Sequence, residues 1–332
     1  MSQLYDRKYK LVVGQPKDII YTGEIKEIDL LNIDAVQRNE FVSDYRLDVL
    51  KAIEIVDLQI EVEISGNTST GSQAAAIIKI YNLSDQSRAI IENVNNYVTL
   101  NAGYAQDEEL AMIFAGQVFD FNTEKQGVDM VTTLKCKDGY TLNNSIRIAH
   151  KFPKGGNYEE VLTYLADVFA NNGIPTGQLE LIDVGENRQT FVQLRSPKET
   201  TLLRGLTVKG FLRQIMDTVC NSLGYVWYIT NGRLFCHPKG FTKTVELYEF
   251  STDQMLSIRR SGNQTTATST GKGVEGVKIV TFLDGRLDND KRIRVTGNIN
   301  ENFNGDYKVV SKSHSLNYRN GQWITTIECK KA

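Results

Sequence analysis

The chain has 332 residues, too many for one ordinary core and enough for two or three domains. Its hydrophobic content of 41% and charged content of 23% are those of an ordinary globular protein, and a net charge of −2 gives bulk electrostatics no reason to draw it to nucleic acid. The first ten residues lack an apolar signal-type run and no stretch nears about 18 uninterrupted apolar residues, so neither a secretory signal nor a membrane-spanning helix is expected.

Leu4 to Val13 reads as a first strand. From Gln15 to Lys51, charges mixed with short apolar runs (Ile28 to Ile33, Phe41 to Leu50) point to an inserted arm with one or two short helices. The pattern sharpens at Asp57, where Leu58, Ile60, Val62 and Ile64 alternate with Gln59, Glu61 and Glu63, a strand with one wet face. Ser65 to Gln73 is a small-polar loop, Ala76 to Leu83 a strand, and Ser84 an N-cap for a short helix to about Val94. Tyr97 to Ala102, Leu110 to Phe121 and Val128 to Lys137 complete a β-meander that ends at Asp138-Gly139-Tyr140.

The composition changes between about Ile146 and Lys239. Asn157 caps a helix whose apolar residues Val161, Leu162, Leu165, Val168 and Phe169 follow the 3.6 period, and Gly173 stops it. Thr207 is expected to open a second helix, closed by Gly224. A hairpin follows, turned by Asn231-Gly232, because a type I′ turn needs φ > 0 at both central residues. Counting from that turn sets Val226, Tyr228 and Phe235 on one face and Trp227, Ile229, Leu234 and Cys236 on the other. Both faces are apolar, so the hairpin should be sandwiched.

From Phe241 the chain is β again: Val245 to Phe250, Met255 to Arg260, Val277 to Leu283 and Ile293 to Val295, interrupted by a Gly/Ser/Thr loop over 261–276. The last 28 residues read as a long hairpin closed by Asn320-Gly321. A two-residue turn there sets Tyr318 opposite Trp323, Leu316 opposite Thr325, His314 opposite Ile327 and Lys312 opposite Cys329. One face, with Tyr318, Leu316, His314, Trp323, Ile327 and Cys329, is then buried and the other mostly wet.

The search for chemistry returns structural readings throughout. His150, His237 and His314 have no metal-ligand spacing, and His314 falls on an apolar face. Cys236 and His237 are neighbours on one strand, so they point to opposite faces. Cys136, Cys220, Cys236 and Cys329 lack C-x-x-C spacing and read as buried thiols of a chain assembled in a reducing cytoplasm. Gly271-x-Gly273-x-x-Gly276 follows a Ser/Thr loop and precedes a strand, the wrong setting for a dinucleotide. Glu159-Glu160 sits in the opening turn of a helix and Asp107-Glu108-Glu109 in a turn. Asp288-Asn289-Asp290 resembles half a calcium loop without its glycine and bidentate glutamate. Arg292 and Arg294 share one wet face, while Arg259 and Arg260 point opposite ways. No catalytic residue, cofactor or metal is expected.

The order of these pieces resembles the baseplate hub proteins of contractile-tailed bacteriophages, and with them the hub region of type VI secretion spike proteins. The carrying residues are Asn82-Leu83-Ser84, Val98 to Tyr104, Phe114-Ala115-Gly116-Gln117-Val118, Leu134 to Gly139, Gly305-x-Tyr307-x-Val309, His314 and Gly321-x-Trp323-x-Thr325. The resemblance implies a mainly β protein with a smaller α+β part: two tail-tube-like β-barrels, at 1–145 (with the arm at about 15–51) and 241–332, flanking a central α+β domain at 146–240. It implies a homotrimer, a ring of six barrels in the virion tail. That ring would join a hexameric tail tube to a trimeric central spike, with the tape-measure protein and surrounding baseplate proteins as further contacts. On this reading the terminal hairpin closes the second barrel and the spike is a separate protein. No membrane and no specific nucleic acid enter it. Two other classes compete: a carbohydrate-binding or adhesin-type β protein, and a cell-wall hydrolase with acids on loops such as 107–109.

Overall fold

The computed structural model describes residues 6–18, 48–94, 96–140, 145–172, 176–179, 201–239, 243–250, 254–261, 276–297 and 301–331. The expected arm is thus described only at its two ends, and the 261–276 loop with its glycine motif, its end residues apart, lies outside the described residues.

The first strand, β1 (Arg7–Asp18), runs beyond Val13 and pairs antiparallel with β2 (Asp48–Ile55). Residues 48–50, expected at the end of a short helix, are therefore strand. Val49, Ile53 and Ile55 are β-branched and suit a pleated partner, which the edge of β1 provides. β3 (Ile60–Asn67), β4 (Ser72–Gln73) and β5 (Ala75–Tyr81) follow, then α1 (Asp85–Ile91), β6 (Tyr97–Tyr104), β7 (Ala111–Gln126) and β8 (Asp129–Lys137). Ile60, Val62 and Ile64 are buried as their alternation requires. Ser84 Oγ accepts the Ser87 N–H as the expected cap. A Cβ on Gly116 would lie 2.9 Å from the backbone of Lys137, so a glycine is what lets β7 and β8 approach there.

The middle of the chain holds β9 (Arg147–Phe152), α2 (Tyr158–Asn171), β10 (Thr176–Leu179), β11 (Leu206–Phe211), α3 (Leu212–Leu223), β12 (Tyr225–Thr230) and β13 (Arg233–Pro238). Two expectations change here. Thr207 does not open a helix: Leu206–Phe211 pairs antiparallel with β9, a strand that the sequence reading missed, and α3 starts at Leu212. Thr207 and Val208 prefer the pleat, and Gly210 at φ +141° breaks any helix through it. The Ser65–Gln73 loop, in turn, contains β4, which pairs in parallel with β12. The hairpin β12–β13 keeps the counted register, Tyr228 opposite Phe235 and Trp227 opposite Cys236, about a turn with Asn231 at φ +52° and Gly232 at +73°.

The last part contains β14 (Lys243–Phe250), β15 (Met255–Ser261), β16 (Gly276–Phe282), β17 (Lys291–Val295), β18 (Gly305–Asn317) and β19 (Trp323–Lys331). Together with the early strands they make one sheet of 13 described strands, mainly antiparallel, in the order β15-β16-β19-β18-β3-β5-β8-β7-β6-β1-β2, with β14 and β17 branching from β18. The chain is mainly β, and its two β-rich flanks meet where β18 pairs with β3.

The terminal hairpin keeps its predicted faces but not its turn. Leu316 stands opposite Trp323 and His314 opposite Thr325, a shift of two residues that leaves 318–322 as a five-residue loop. Tertiary partners hold that loop open. Arg7 donates to the carbonyls of Asn317 (2.6 Å) and Gly321 (2.9 Å), and the Tyr318 N–H donates to the Ile60 carbonyl (3.1 Å). A two-residue shift preserves the side-chain alternation, so Leu316, His314, Trp323, Ile327 and Cys329 remain buried.

Three apolar clusters form the interior. One gathers Tyr9, Leu11, Ile60, Ile78, Leu100, Phe114 and Leu134 from the early strands, together with Leu316 and Trp323. A second lies among α2, α3 and β12–β13 around Phe169, Met216 and Trp227. A third, around Phe250, Ile279, Ile293, Tyr307, Val309 and Ile327, fills the late strands. The terminal hairpin therefore enters the first cluster with its tip, Leu316 and Trp323, and the third with its base, Tyr307, Val309, Ile327 and Cys329.

Candidate functional site

Where the three clusters meet, the interior turns polar. The cause lies in β18. Val309 faces Cys329, but Ser311 faces Glu328, so Val310 is an extra residue and a β-bulge. Before it Tyr307 and Val309 are buried; after it Lys312, His314 and Leu316 are. The bulge thus aims a lysine and a histidine inward, between the first cluster and the third.

The segment Asp288-Asn289-Asp290 supplies counter-charges to two lysines of β18. Lys312 Nζ lies 2.6 Å from Asp288 Oδ1 and Lys308 Nζ 2.6 Å from Asp290 Oδ1. Asp290 is fully buried, in the left-handed region at φ +64°, and its N–H donates to the Val309 carbonyl. Its Oδ2 accepts the Tyr228 hydroxyl at 2.5 Å and lies 2.8 Å from His237 Nε2. The other ring nitrogen of His237, Nδ1, faces the Pro238 carbonyl at 2.9 Å. Both ring nitrogens of His237 thus face acceptors. One carboxylate thereby ties the β12–β13 hairpin to β18. Burial pushes the Asp290 carboxyl upward, but His237 and Lys308 outweigh it and hold the group below its ordinary value.

Around this centre the other sequence candidates fall into place. His314 is fully buried, with Nδ1 3.0 Å from Thr325 Oγ1, and burial drives it down to about 3, so it is a neutral packing group. Cys236 and His237 point to opposite faces, Cys236 into the helical cluster and His237 toward Asp290. Asp288 and Asp290 face lysines where a calcium loop would present an ion. Arg292 and Arg294 share their face, but both bond Asp306 instead of standing free, Arg294 Nε at 2.7 Å. Glu159-Glu160 occupies the first turn of α2, and Asp107 accepts the Tyr104 N–H within its own turn at 2.7 Å. Among the described residues, no group of three or more His, Cys, Asp or Glu is placed to hold a metal ion. The four cysteines are free and buried; Cys220 and Cys236 bring their sulfurs to 3.7 Å, and burial raises the thiols of Cys136 and Cys329.

A second tie was not foreseen. Asp138, buried at the end of β8, accepts the Gly232 N–H at 2.8 Å and so pins the β12–β13 turn to the first flank. Burial raises its carboxyl to about 8, against the hydrogen bonds from Gly232 and Gly139. The folded chain therefore keeps a proton that the unfolded chain releases near the ordinary carboxyl value of 3.8, and stability falls as pH rises from about 4 to about 8. Asp138→Asn is expected to flatten that slope while its amide oxygen still accepts the Gly232 N–H. Thermal melts of both proteins across this range check it; parallel curves would refute it.

What this arrangement does chemically is hold elements together. Its carboxylates are already bonded to lysine, histidine, tyrosine or backbone groups.

The sequence model of the family described as "Baseplate hub gp41" matches residues 44–329. No curated protein matches. Among solved structures, the 43 kDa tail protein of prophage MuSo2 from Shewanella oneidensis superposes with a TM-score of 0.58 at 11% identity, covering 84% of this chain and 94% of that one. The E. coli c3393 protein, a type VI secretion component described as similar to T4 tail proteins gp27 and gp5, gives 0.53 at 8% identity over 82% and 74%. A Francisella PdpA–VgrG complex gives 0.53 at 8% identity, covering all of this chain and 53% of that one. At these identities the structures speak for a shared fold, while the family match spans most of the sequence. With a mainly β fold, two flanks joined through β3 and β18, and a buried polar centre suited to holding elements in place, the chain belongs to the baseplate hub family of phage tails and is a structural protein of the virion tail.

Proposed function

We propose that the chain is a non-enzymatic, homotrimeric adaptor between a hexameric tail tube and a trimeric central spike. Each copy contributes two tube-like barrels, built from residues 1–145 and 241–332, and a central α+β unit, residues 146–240, to a ring of six barrels. The observation that carries this reading is the single sheet joined at the β3–β18 seam, with one cluster built mainly from early strands and another from late ones, in a chain of the hub family. Among the described strands, β2, β14 and β15 each pair on one side only, which leaves backbone edges for neighbouring copies to cover. The tape-measure protein and surrounding baseplate proteins are the further contacts of such a ring. Light scattering on the purified chain should return three times 37.4 kDa, and cross-linking of intact particles should join it to tube and spike proteins. A stable monomer that never enters tails would sink the proposal.

A further inference from the structure

We infer that copies of this chain meet through a charge-complementary contact, the basic face of the β9–β11 ribbon on one copy against the acidic stripe of α2 on the next. The inference rests on the homotrimer reading and names surfaces for it.

The ribbon is amphipathic by register. Arg147 stands opposite Phe211, Ala149 opposite Lys209 and Lys151 opposite Thr207, so these six residues share one face. Arg147, Lys151 and Lys209 are exposed, and the Arg147 guanidinium rests 4.4 Å over the Phe211 ring. On the opposite face Phe152 and Val208 are buried, and the ring of His150, itself exposed, stacks on Tyr164 of α2 at 4.2 Å. Just past the ribbon end lie exposed Lys154 and Arg204, beside Leu203, which is 76% exposed. Among the described residues none of these five cations has a carboxylate within ion-pair distance.

The helix carries the opposite sign. α2 buries Val161, Leu162, Leu165, Ala166 and Phe169, and turns Glu160, Thr163 and Asp167 outward at three- and four-residue spacing, with Glu159 alongside. Among the described residues these three carboxylates have no basic partner either.

The two patches cannot neutralise each other within one copy, because α2 packs on the face of the ribbon that the cations turn away from. A ring of identical copies, however, needs a heterologous contact, in which one patch meets a different one. The lengths agree: Arg147 to Lys151 spans about 14 Å of strand and Glu160 to Asp167 about 10 Å of helix. With a chain net charge of only −2, this is segregation of charge and not an overall excess. A second copy of this chain therefore matches both patches at once.

Three variants of the full-length chain test the contact by sedimentation and light scattering: Lys151→Glu with Lys209→Glu, Glu160→Lys with Asp167→Lys, and all four together. Every substitution is at an exposed position, and circular dichroism confirms folding. Each double variant should fall to 37.4 kDa, and the fourfold variant should regain the mass of the wild type, since its patches are again opposite in sign. Double variants that keep the trimer mass would overturn this contact and leave the homotrimer reading standing. A fourfold variant that stays dissociated would also overturn it. A monomeric wild type would remove both.

Discussion

Replacing Trp323 by alanine should destabilise the fold by about 3–5 kcal/mol, the range for deleting a buried aromatic ring. The ring is 3% exposed and belongs to the cluster of the early strands, although its residue lies in β19. Its Nε1–H donates to the Gly103 carbonyl at 3.3 Å, and Arg7 sits 5.7 Å over its face, the same Arg7 that holds the 318–322 loop open. The substitution thus leaves a cavity and a loosened loop where early and late strands join. Because Trp227 is the other tryptophan, its fluorescence alone reports unfolding of the variant during denaturant titration. A midpoint equal to that of the wild type would refute the placement.

Asp290→Ala should cost a similar amount, about 3–5 kcal/mol, for a different reason. Removing one partner of a buried ion pair leaves the other charge uncompensated. Lys308 and His237 would both lose their acceptor, as would the Tyr228 hydroxyl. Asp290→Asn should be milder, because asparagine tolerates the left-handed backbone and retains an acceptor. The pH dependence separates charge from shape. The folded carboxyl lies below 3.8, so its contribution is present above that pH and fades as pH falls through the folded value. The stability gap between wild type and Asp290→Ala should narrow below about pH 4. A gap unchanged down to pH 2 would show that the ion pairs are not its source.

Local chemistry made much of this fold readable. The Asn231-Gly232 register, the Ser84 and Asn157 caps, and the alternation at Ile60, Val62 and Ile64 depend on neighbours in sequence, and they stand. The misreadings share one cause, a distant partner. Asn320-Gly321 is a strong turn signal overridden by Arg7 and Ile60, and Leu206–Phe211 is drawn into a strand by β9. The polar centre was legible only as fragments. Asp288-Asn289-Asp290, Cys236-His237 and His314 each drew notice, but Tyr228, Lys308 and Lys312 carry no pattern linking them to those acids until the strands are paired. The bulge at Val310, which lets Val309 and Lys312 both face inward, has no glycine or proline to give notice of it.

The seam between β3 and β18 has a consequence for synthesis. Ser315 bonds Glu63 across 252 residues, and Leu316 and Trp323 enter the same interior as Ile60 and Val62. A nascent chain leaving the ribosome therefore carries the β3 edge uncovered through most of translation. Contacts of such sequence separation form slowly, and an open strand edge is where chains pair wrongly. The earliest strands thus wait for the latest ones, and the interval in which they wait is when this protein is most exposed to aggregation.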